Sequence, residues 1–112
     1  MPATPPAAQI WGLKTCDTCR KAARALPDAR LRDIRAEPLT GDEIATLIDR
    51  FGPALVNRAS TTWRGLSEAE RSEPAAALLA AHPALMKRPV IHAGGDWHLG
   101  WTPAVRAALG AD

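Results

Sequence analysis

Two cysteines, Cys16 and Cys19, are the only ones in the chain, and they are three residues apart. They stand between an apolar run at residues 9–13 and a helix-like run at residues 20–26. If the helix begins at the first cysteine, its unpaired N–H groups and its dipole favour a thiolate on Cys16, and the thiolate is the nucleophilic form. Cys19 follows one turn later on the same helical face and could close a disulfide. The spacing therefore predicts a reactive thiol pair.

A CxxC pair has two other interpretations. It is half of a four-ligand zinc site, and two cysteines can also be ordinary small buried residues. Zinc would need two more ligands, and the chain offers His82, His92 and His98. His92 and His98 are six residues apart across a Gly-Gly turn, which is not zinc-finger spacing. The strand–CxxC–helix context favours redox or nucleophilic chemistry over both alternatives, and we predict no metal.

Length and composition predict one domain and narrow the classes of partner. A chain of 112 residues that is 46% hydrophobic can bury a core without disulfide staples. Fourteen basic and twelve acidic residues leave a net charge of +2, too small to argue for direct nucleic-acid or membrane binding. Residues 1–8 lack the pattern of a signal peptide, so we expect a flexible tail and a cytoplasmic location. In that reducing compartment a CxxC pair is catalytic or sensing rather than structural.

The first half of the chain alternates strand and helix patterns. A first strand is predicted at 9–13, a first helix that begins near Cys16 ends at Pro27, and a second strand covers 30–35. Thr40 and Glu43 have the spacing of a capping box at the start of the next helix.

The middle of the chain, about residues 40–86, is predicted to be nearly all helical. Ser67 and Glu70 form a second capping-box pattern, and Pro74 is predicted at the first position of a further helix. The inward face of that segment is predicted to consist of Ala77, Leu78, Ala81 and Leu85.

A hairpin and a helix close the chain. Strand patterns flank a turn at residues 94–96, and Pro103 opens the last helix. His92 and His98 have equal parity in the hairpin and are expected to share a face. The order βαβ, then helices, then ββα predicts an α/β fold with a thioredoxin-like core in a single domain, 9–112. We expect a mixed four-stranded sheet, with an all-helical insertion between the second and third strands.

Four stretches of the sequence together carry a family resemblance. They are Trp-Gly-Leu-Lys-Thr-Cys-Asp-Thr-Cys-Arg-Lys-Ala at 11–22, Arg-Ala-Ser-Thr-Thr-Trp-Arg at 58–64, Lys-Arg-Pro-Val-Ile at 87–91 and Leu-Gly-Trp-Thr-Pro at 99–103. This ordered set resembles the arsenate reductase (ArsC)/Spx family and is most similar to its small YffB-like members. The resemblance implies a thioredoxin-like fold with a helical insert, and a thiol enzyme or thiol switch that uses glutathione.

The resemblance also implies roles around the cysteine motif. Cys16 matches the catalytic cysteine, which attacks an oxyanion or an oxidised sulfur. Cys19 stands where the glutathione-coupled reductases have serine, and a second thiol permits an internal disulfide. Arg20 matches the arginine of the motif and would bring a cation one turn from Cys16. Thr15 and Thr18 flank the cysteines as candidate substrate-binding hydroxyls.

Other positions match or depart from the family's arginine pattern. Arg88 matches an arginine that binds an oxyanion or a carboxylate, and Pro89 is expected to follow it in a cis peptide bond. Asn57 stands where a second arginine is expected, with Arg58 next to it, and Thr102 stands where a third precedes a proline. A site with one matched arginine and otherwise neutral groups suits glutathione or a protein disulfide better than it suits arsenate.

These residues predict a thiol-dependent oxidoreductase with no bound cofactor. Its co-substrate is expected to be glutathione or another thiol, its substrate a small oxyanion or a disulfide, and its reducing partner glutaredoxin or thioredoxin. The alternative is an Spx-like redox-sensing regulator, in which the same disulfide alters a surface that binds RNA polymerase.

Overall fold

The structure, a computed structural model, describes residues 8–111. Strands occur early and late in the chain: β1 (Gln9–Gly12), β2 (Arg30–Asp33), β3 (Val90–Ala93) and β4 (Asp96–Leu99). The α-helices are α1 (Asp17–Ala25), α2 (Gly41–Phe51), α3 (Thr61–Arg64), α4 (Glu68–Arg71), α5 (Ala75–Ala81) and α6 (Pro103–Ala108). Two 3₁₀ helices cover Gly52–Leu55 and Pro83–Leu85.

The strands form one mixed sheet in the order β2-β1-β3-β4. β1 and β2 are parallel and are joined through α1, while β3 is antiparallel to both of its neighbours. Between β2 and β3 the chain is helical, apart from loops and an isolated bridge from Val56 to Met86. The predicted α/β class, with a thioredoxin-like mixed four-stranded sheet, is confirmed.

The described chain divides into two compact units. Residues 8–33 and 88–111 form the first unit, which contains the sheet, α1 and α6. Residues 34–87 form the second unit, and the predicted helical insertion, 40–86, falls within it. Of the predicted flexible tail, 1–8, only Ala8 is among the described residues, and its carbonyl accepts a hydrogen bond from the Arg30 N–H.

The core of the first unit holds α1 against the sheet. Ile10 of β1 and Ile91 of β3 are register partners, so their side chains project from the same face, and both are fully buried. Ala22 of α1 packs on them and is also fully buried. Around this centre lie partly buried apolar residues, among them Leu26, Leu31, Trp101, Val105 and Leu109. This packing fixes the position of α1, and with it the cysteines.

The opposite face of the sheet carries an aromatic and basic cluster. The Trp11 and Trp97 rings lie 5.0 Å apart, and His92 lies 4.4 Å from Trp97. The Arg32 guanidinium is 5.0 Å from the Trp11 ring centroid. His98 is the register partner of Ile91, whereas His92 is the partner of Trp97.

The expectation that the two histidines share a face is therefore wrong. Register partners in an antiparallel hairpin project from the same face, and here each pair joins an even-numbered residue to an odd-numbered one. Two even-numbered residues on the two strands, such as His92 and His98, therefore lie on opposite faces. The hairpin loop is Gly94-Gly95, with φ values of 59° and 82°, which a residue with a side chain rarely adopts. Asp96, predicted as part of the turn, begins β4.

In the second unit both predicted capping boxes are present. The Thr40 hydroxyl accepts from the Glu43 N–H at 3.1 Å, and the Glu43 carboxylate accepts from the Thr40 N–H at 2.8 Å. Ser67 and Glu70 repeat this arrangement at α4. Two of the four N-terminal N–H groups that a helix leaves unpaired are involved in each box, so both helices begin where the sequence predicts.

Some predicted details of the elements are wrong. Pro74 is the N-cap of α5, one position before the helix. Ala77 and Ala81 are exposed, whereas Leu79, which the periodicity did not select, is buried beside Leu78. Two adjacent leucines decide the inward face because they bury far more apolar area than alanine does. Leu85 is buried as predicted, but in a 3₁₀ helix, and β1 and β2 end at Gly12 and Asp33, short of the predicted 13 and 35.

Candidate active site

A short, well-anchored turn carries the chain from the sheet to the first cysteine. The Cys16 N–H donates to the Leu13 carbonyl at 3.0 Å, and the Lys14 N–H donates to the Asp33 carboxylate at 3.1 Å. Cys16 is the N-cap of α1, which begins at Asp17. The predicted position of Cys16 at a helix N-terminus is confirmed, so its sulfur lies at the positive end of the helix dipole.

The two thiols face each other at this helix end. Both cysteines are free, Cys16 being half-buried and Cys19 fully buried, with 0% of its surface exposed. The Cys19 thiol acts as a hydrogen-bond donor toward the sulfur of Cys16. The spacing of one helical turn therefore produces a close pair with one accessible sulfur and one enclosed sulfur.

The accessible sulfur is the more acidic. Burial raises the pKa of Cys16, but the backbone N–H and the thiol of Cys19 and the guanidinium of Arg88 together lower it below the ordinary cysteine value. The sulfur makes no standard N-cap hydrogen bond, yet the Cys19 N–H still favours its charged form. Because the thiolate is the attacking species, these groups favour nucleophilic reactivity at Cys16 over Cys19.

The enclosed sulfur keeps its proton. Burial raises the pKa of Cys19 to about 12, and the neighbouring Cys16 thiolate adds to the effect, while the Leu13 N–H and Arg88 oppose it. Cys16 is thus the thiol that ionises first, and Cys19 is its protonated hydrogen-bond donor. When Cys16 forms a covalent adduct its negative charge disappears, which removes one cause of the high pKa of Cys19.

Arg88, two residues before β3, brings a positive charge to the pair. Its side chain is half-buried, with the Nε atom fully buried. The Arg88–Pro89 peptide bond is cis, as the resemblance implied. The Pro89 carbonyl accepts a hydrogen bond of 2.8 Å from the Gly100 N–H. Arg88 is the arginine that lowers the pKa of Cys16.

The three polar residues predicted around the motif lie on its exposed side. Thr15 is in the turn before Cys16, and Thr18 is in the first turn of α1. Arg20 pairs with the Asp17 carboxylate and lowers the pKa of that carboxyl group. The substrate-binding roles of Thr15, Thr18 and Arg20 stay predictions.

Asn57 and Arg58 belong to the second unit, where each has a local partner. The Asn57 side-chain oxygen accepts from the Ala59 N–H at 3.1 Å. The Arg58 guanidinium lies 5.5 Å from the centroid of the Trp63 ring. Their predicted part in substrate binding stays a prediction.

Thr102, where the family resemblance implies an arginine, has a structural task. Its hydroxyl accepts a hydrogen bond of 3.1 Å from the Val105 N–H and caps α6, while Pro103 occupies the first helical position. The position where the resemblance implies an arginine is therefore occupied by the uncharged N-cap residue of α6.

Sequence reasoning missed the backbone that encloses the second sulfur. A methyl group added at Gly12 would lie 3.3 Å from the Cys19 Cβ and closer still to its sulfur. The next residue, Leu13, directs its N–H to that sulfur. A glycine at the end of a strand, just before a CxxC pair, was the available signal, because strand glycines often mark a close approach of another group.

The described residues contain neither a candidate metal site nor a helix that could span a membrane. Among residues 8–111 no group of three or more His, Cys, Asp and Glu side chains is arranged to hold a metal ion. Nor does this range include a helix with the length and apolar character required to cross a bilayer.

Comparison with known proteins assigns the family. The ArsC family model matches residues 11–108. The chain belongs to the ArsC family. It is 36% identical over 101 residues to an uncharacterized protein of Haemophilus influenzae, covering 82% of this chain and 89% of that protein. This membership, together with the thiol pair, supports the predicted oxidoreductase class of enzyme.

Solved structures agree with this family assignment. A protein named YFFB superposes with a TM-score of 0.80 and 31% identity, covering 90% of this chain and 96% of its own. An arsenate reductase (ArsC) related protein from Brucella melitensis gives 0.70 and 33%, covering 96% and 98%. The arsenate reductase from Vibrio cholerae, at 18% identity and a TM-score of 0.69, shares the fold, covering 93% of this chain and 96% of its own.

Proposed function

We propose that this protein is a glutathione-linked thiol-disulfide oxidoreductase in which Cys16 attacks and Cys19 resolves. The observation that carries the proposal is the arrangement of the two thiols: Cys16 is half-buried at the N-terminus of α1 and Cys19 is fully buried one turn later. The pKa is accordingly lowered at Cys16 and raised at Cys19. A resolving thiol that stays protonated does not compete for the substrate. The more acidic and more accessible thiol reacts first.

The reaction is a sequence of thiol-disulfide exchanges. The Cys16 thiolate attacks the glutathione sulfur of a glutathione-containing disulfide, and the other sulfur leaves as a thiolate. Cys19 then loses its proton to solvent and attacks the Cys16 sulfur. The bond between Cys16 and glutathione breaks, and glutathione leaves as a thiolate. A thiol reductant such as glutathione, glutaredoxin or thioredoxin reduces the Cys16–Cys19 disulfide and completes the cycle.

Arg88 stabilises charge at each exchange. Its guanidinium favours the Cys16 thiolate before attack. The same cation can pair with the carboxylate of a peptide-like thiol such as glutathione, for which a planar fork of donors is suited. A glutathione disulfide supplies both the oxidised sulfur and the carboxylates that this arrangement selects.

The substrate is a disulfide rather than arsenate in this proposal. Asn57 and Thr102 replace two cations that the family resemblance led us to expect, and Thr102 is occupied as a helix cap. A charge-assisted hydrogen bond contributes about 1.5–3 kcal/mol, so each missing arginine weakens the binding of a small oxyanion.

We place this activity in a reducing cytoplasmic compartment, with no cofactor bound to the protein. A CxxC pair that cycles between dithiol and disulfide requires a pool of reducing thiols.

Turnover tests the proposal. Purified protein should reduce a mixed disulfide of glutathione and a small thiol in the presence of glutathione. Cys16→Ser should abolish this activity, while Arg24→Gln, a charge change on the exposed side of α1, should retain it. No turnover of any disulfide, together with oxidation-dependent capture of RNA polymerase, would favour the redox regulator instead.

A further inference from the structure

The peptide that ends β1 forms a close-fitting seat for the sulfur of Cys19. The Gly12 position has no side chain, and a Cβ placed there would overlap that sulfur and approach the Cys19 Cβ to 3.3 Å. The φ angle of Gly12 lies outside the left-handed region, so a side chain is excluded by the sulfur and not by backbone conformation. The next N–H, that of Leu13, points to the same sulfur.

We infer that Gly12 is a positioning residue that sets the distance between the two sulfurs. This inference rests on the proposed resolving role of Cys19. α1 is held against the sheet by the fully buried contacts of Ile10, Ala22 and Ile91, so the helix itself has little freedom to retreat. A methyl group at position 12 would therefore displace the Cys19 side chain, which is the part of this packing that can rotate.

The close contact of Gly12 and Leu13 with the Cys19 sulfur matters for the second exchange step, the attack of Cys19 on the mixed disulfide. To attack the mixed disulfide, Cys19 must become a thiolate in a buried place, where burial opposes the charge. The Leu13 N–H lowers the pKa of that sulfur and so favours its thiolate. Gly12 permits the approach that brings this N–H and the Cys16 sulfur to Cys19 together. Small displacements of reacting atoms cost large factors in rate, because the attacking and leaving sulfurs must be aligned.

The test measures release of glutathione from Cys16 in a single turnover. Protein carrying glutathione on Cys16 is prepared by rapid reaction with glutathione disulfide, which releases one equivalent of glutathione. Release of the second equivalent, from Cys16, is followed in time. Gly12→Ala should slow release by roughly tenfold or more, since the resolving sulfur is misplaced. The first reaction, alkylation or glutathionylation of Cys16, should change much less.

Gly41→Ala is the matched control. A Cβ at Gly41, at the start of α2, meets no atom within 4 Å. This variant should release glutathione at the wild-type rate.

Removing the sulfur provides a second, independent readout. In a double-mutant cycle of thermal stability, Gly12→Ala should lower the Tm of the wild type more than it lowers the Tm of Cys19→Ala, because the alanine at 19 leaves room for the methyl group. This comparison keeps the inference testable even if Gly12→Ala alone does not fold, since the double variant is then expected to fold.

The outcomes separate this inference from the proposed function. Wild-type release in Gly12→Ala, with release lost in Cys19→Ser, would overturn the role of Gly12 and leave the resolving role intact. Normal release in Cys19→Ser would contradict the resolving role itself. Additive Tm losses, or failure of both the single and the double variant to fold, would show that something other than the sulfur excludes a side chain at position 12.

Discussion

The proposed chemistry depends on two cysteine thiols whose pKa values are shifted in opposite directions. Cys16 is half-buried at the N-terminus of α1 and has a lowered pKa, and Cys19 is enclosed beside β1 with a raised pKa. The spacing of three residues was enough to predict that the sulfurs would meet. It was not enough to predict which would be enclosed, because the burial of Cys19 depends on how α1 packs against β1.

Arg88 adds to the effect of Cys19 in lowering the pKa of Cys16, and its removal should show this. Arg88→Gln removes the positive charge and its hydrogen bond to the thiolate, so the pKa of Cys16 should rise. The pH midpoint of Cys16 alkylation should then move upward in a Cys19→Ala background, which leaves a single thiol to titrate.

Arg20→Gln is the comparison for this experiment. Arg20 is paired with Asp17, whereas the groups that lower the pKa of Cys16 are Cys19 and Arg88. We expect a smaller change in the alkylation midpoint than for Arg88→Gln. A larger change for Arg20→Gln would reverse the assignment of the two arginines.

The raised pKa of Cys19 makes folding stability depend on alkaline pH. The folded-state pKa, about 12, lies above that of an unfolded cysteine, about 8.5, so its contribution is complete below the unfolded value and is lost as pH rises toward the folded value. Between pH 8 and pH 10 the wild type should lose more free energy of unfolding than Cys19→Ala. Urea unfolding at the two pH values measures this, and equal losses would contradict the enclosed, protonated state of Cys19.

At the scale of helices and strands, the sequence predicted correctly those features that depend on neighbouring residues alone. The capping boxes at Thr40 and Ser67 and the Gly-Gly hairpin loop form as predicted, because each depends on neighbouring residues alone. The wrong predictions concern features that tertiary packing determines, namely which side chains are buried and which face of the sheet a residue occupies. Leu79 rather than Ala77 or Ala81 is buried, and the faces of His92 and His98 follow from strand register, which parity along the chain does not give.

The N-cap of α6 gives a prediction about one helix. Thr102→Ala removes the acceptor for the Val105 N–H and should cost about 0.5–2 kcal/mol of stability. Thr102→Ser keeps the hydroxyl and should stay close to the wild type. Urea denaturation of the three proteins measures the difference, and equal stability of the alanine and serine variants would show that the cap contributes nothing.

At the scale of the whole molecule, the chain belongs to the ArsC family, and the proposed substrate preference departs from the family name. Its fold, its CxxC pair and Arg88 were all accessible from the sequence, whereas the local partners of Asn57 and Arg58 and the capping role of Thr102 required coordinates. These three residues occupy the positions where the family resemblance implies arginines or their neighbours. The net charge of +2 offers no general attraction that would replace two missing cations.

Arsenate should therefore be a poor substrate. Losing a single charge-assisted contact of about 1.5–3 kcal/mol corresponds to roughly ten- to a hundredfold weaker binding. With glutathione and a coupled reductase, the kcat/KM for arsenate should fall at least roughly tenfold below that for a glutathione mixed disulfide. Comparable values for the two substrates would contradict the assignment to disulfides.

Intact-protein mass spectrometry after reaction with glutathione disulfide examines the paired roles of Cys16 and Cys19 in one spectrum. The account predicts that Cys19→Ser retains one glutathione on Cys16, while the wild type passes through that adduct and ends lighter than the reduced protein by two hydrogen atoms. A lasting adduct on the wild type, or a Cys19→Ser protein that carries glutathione on no residue, would contradict it.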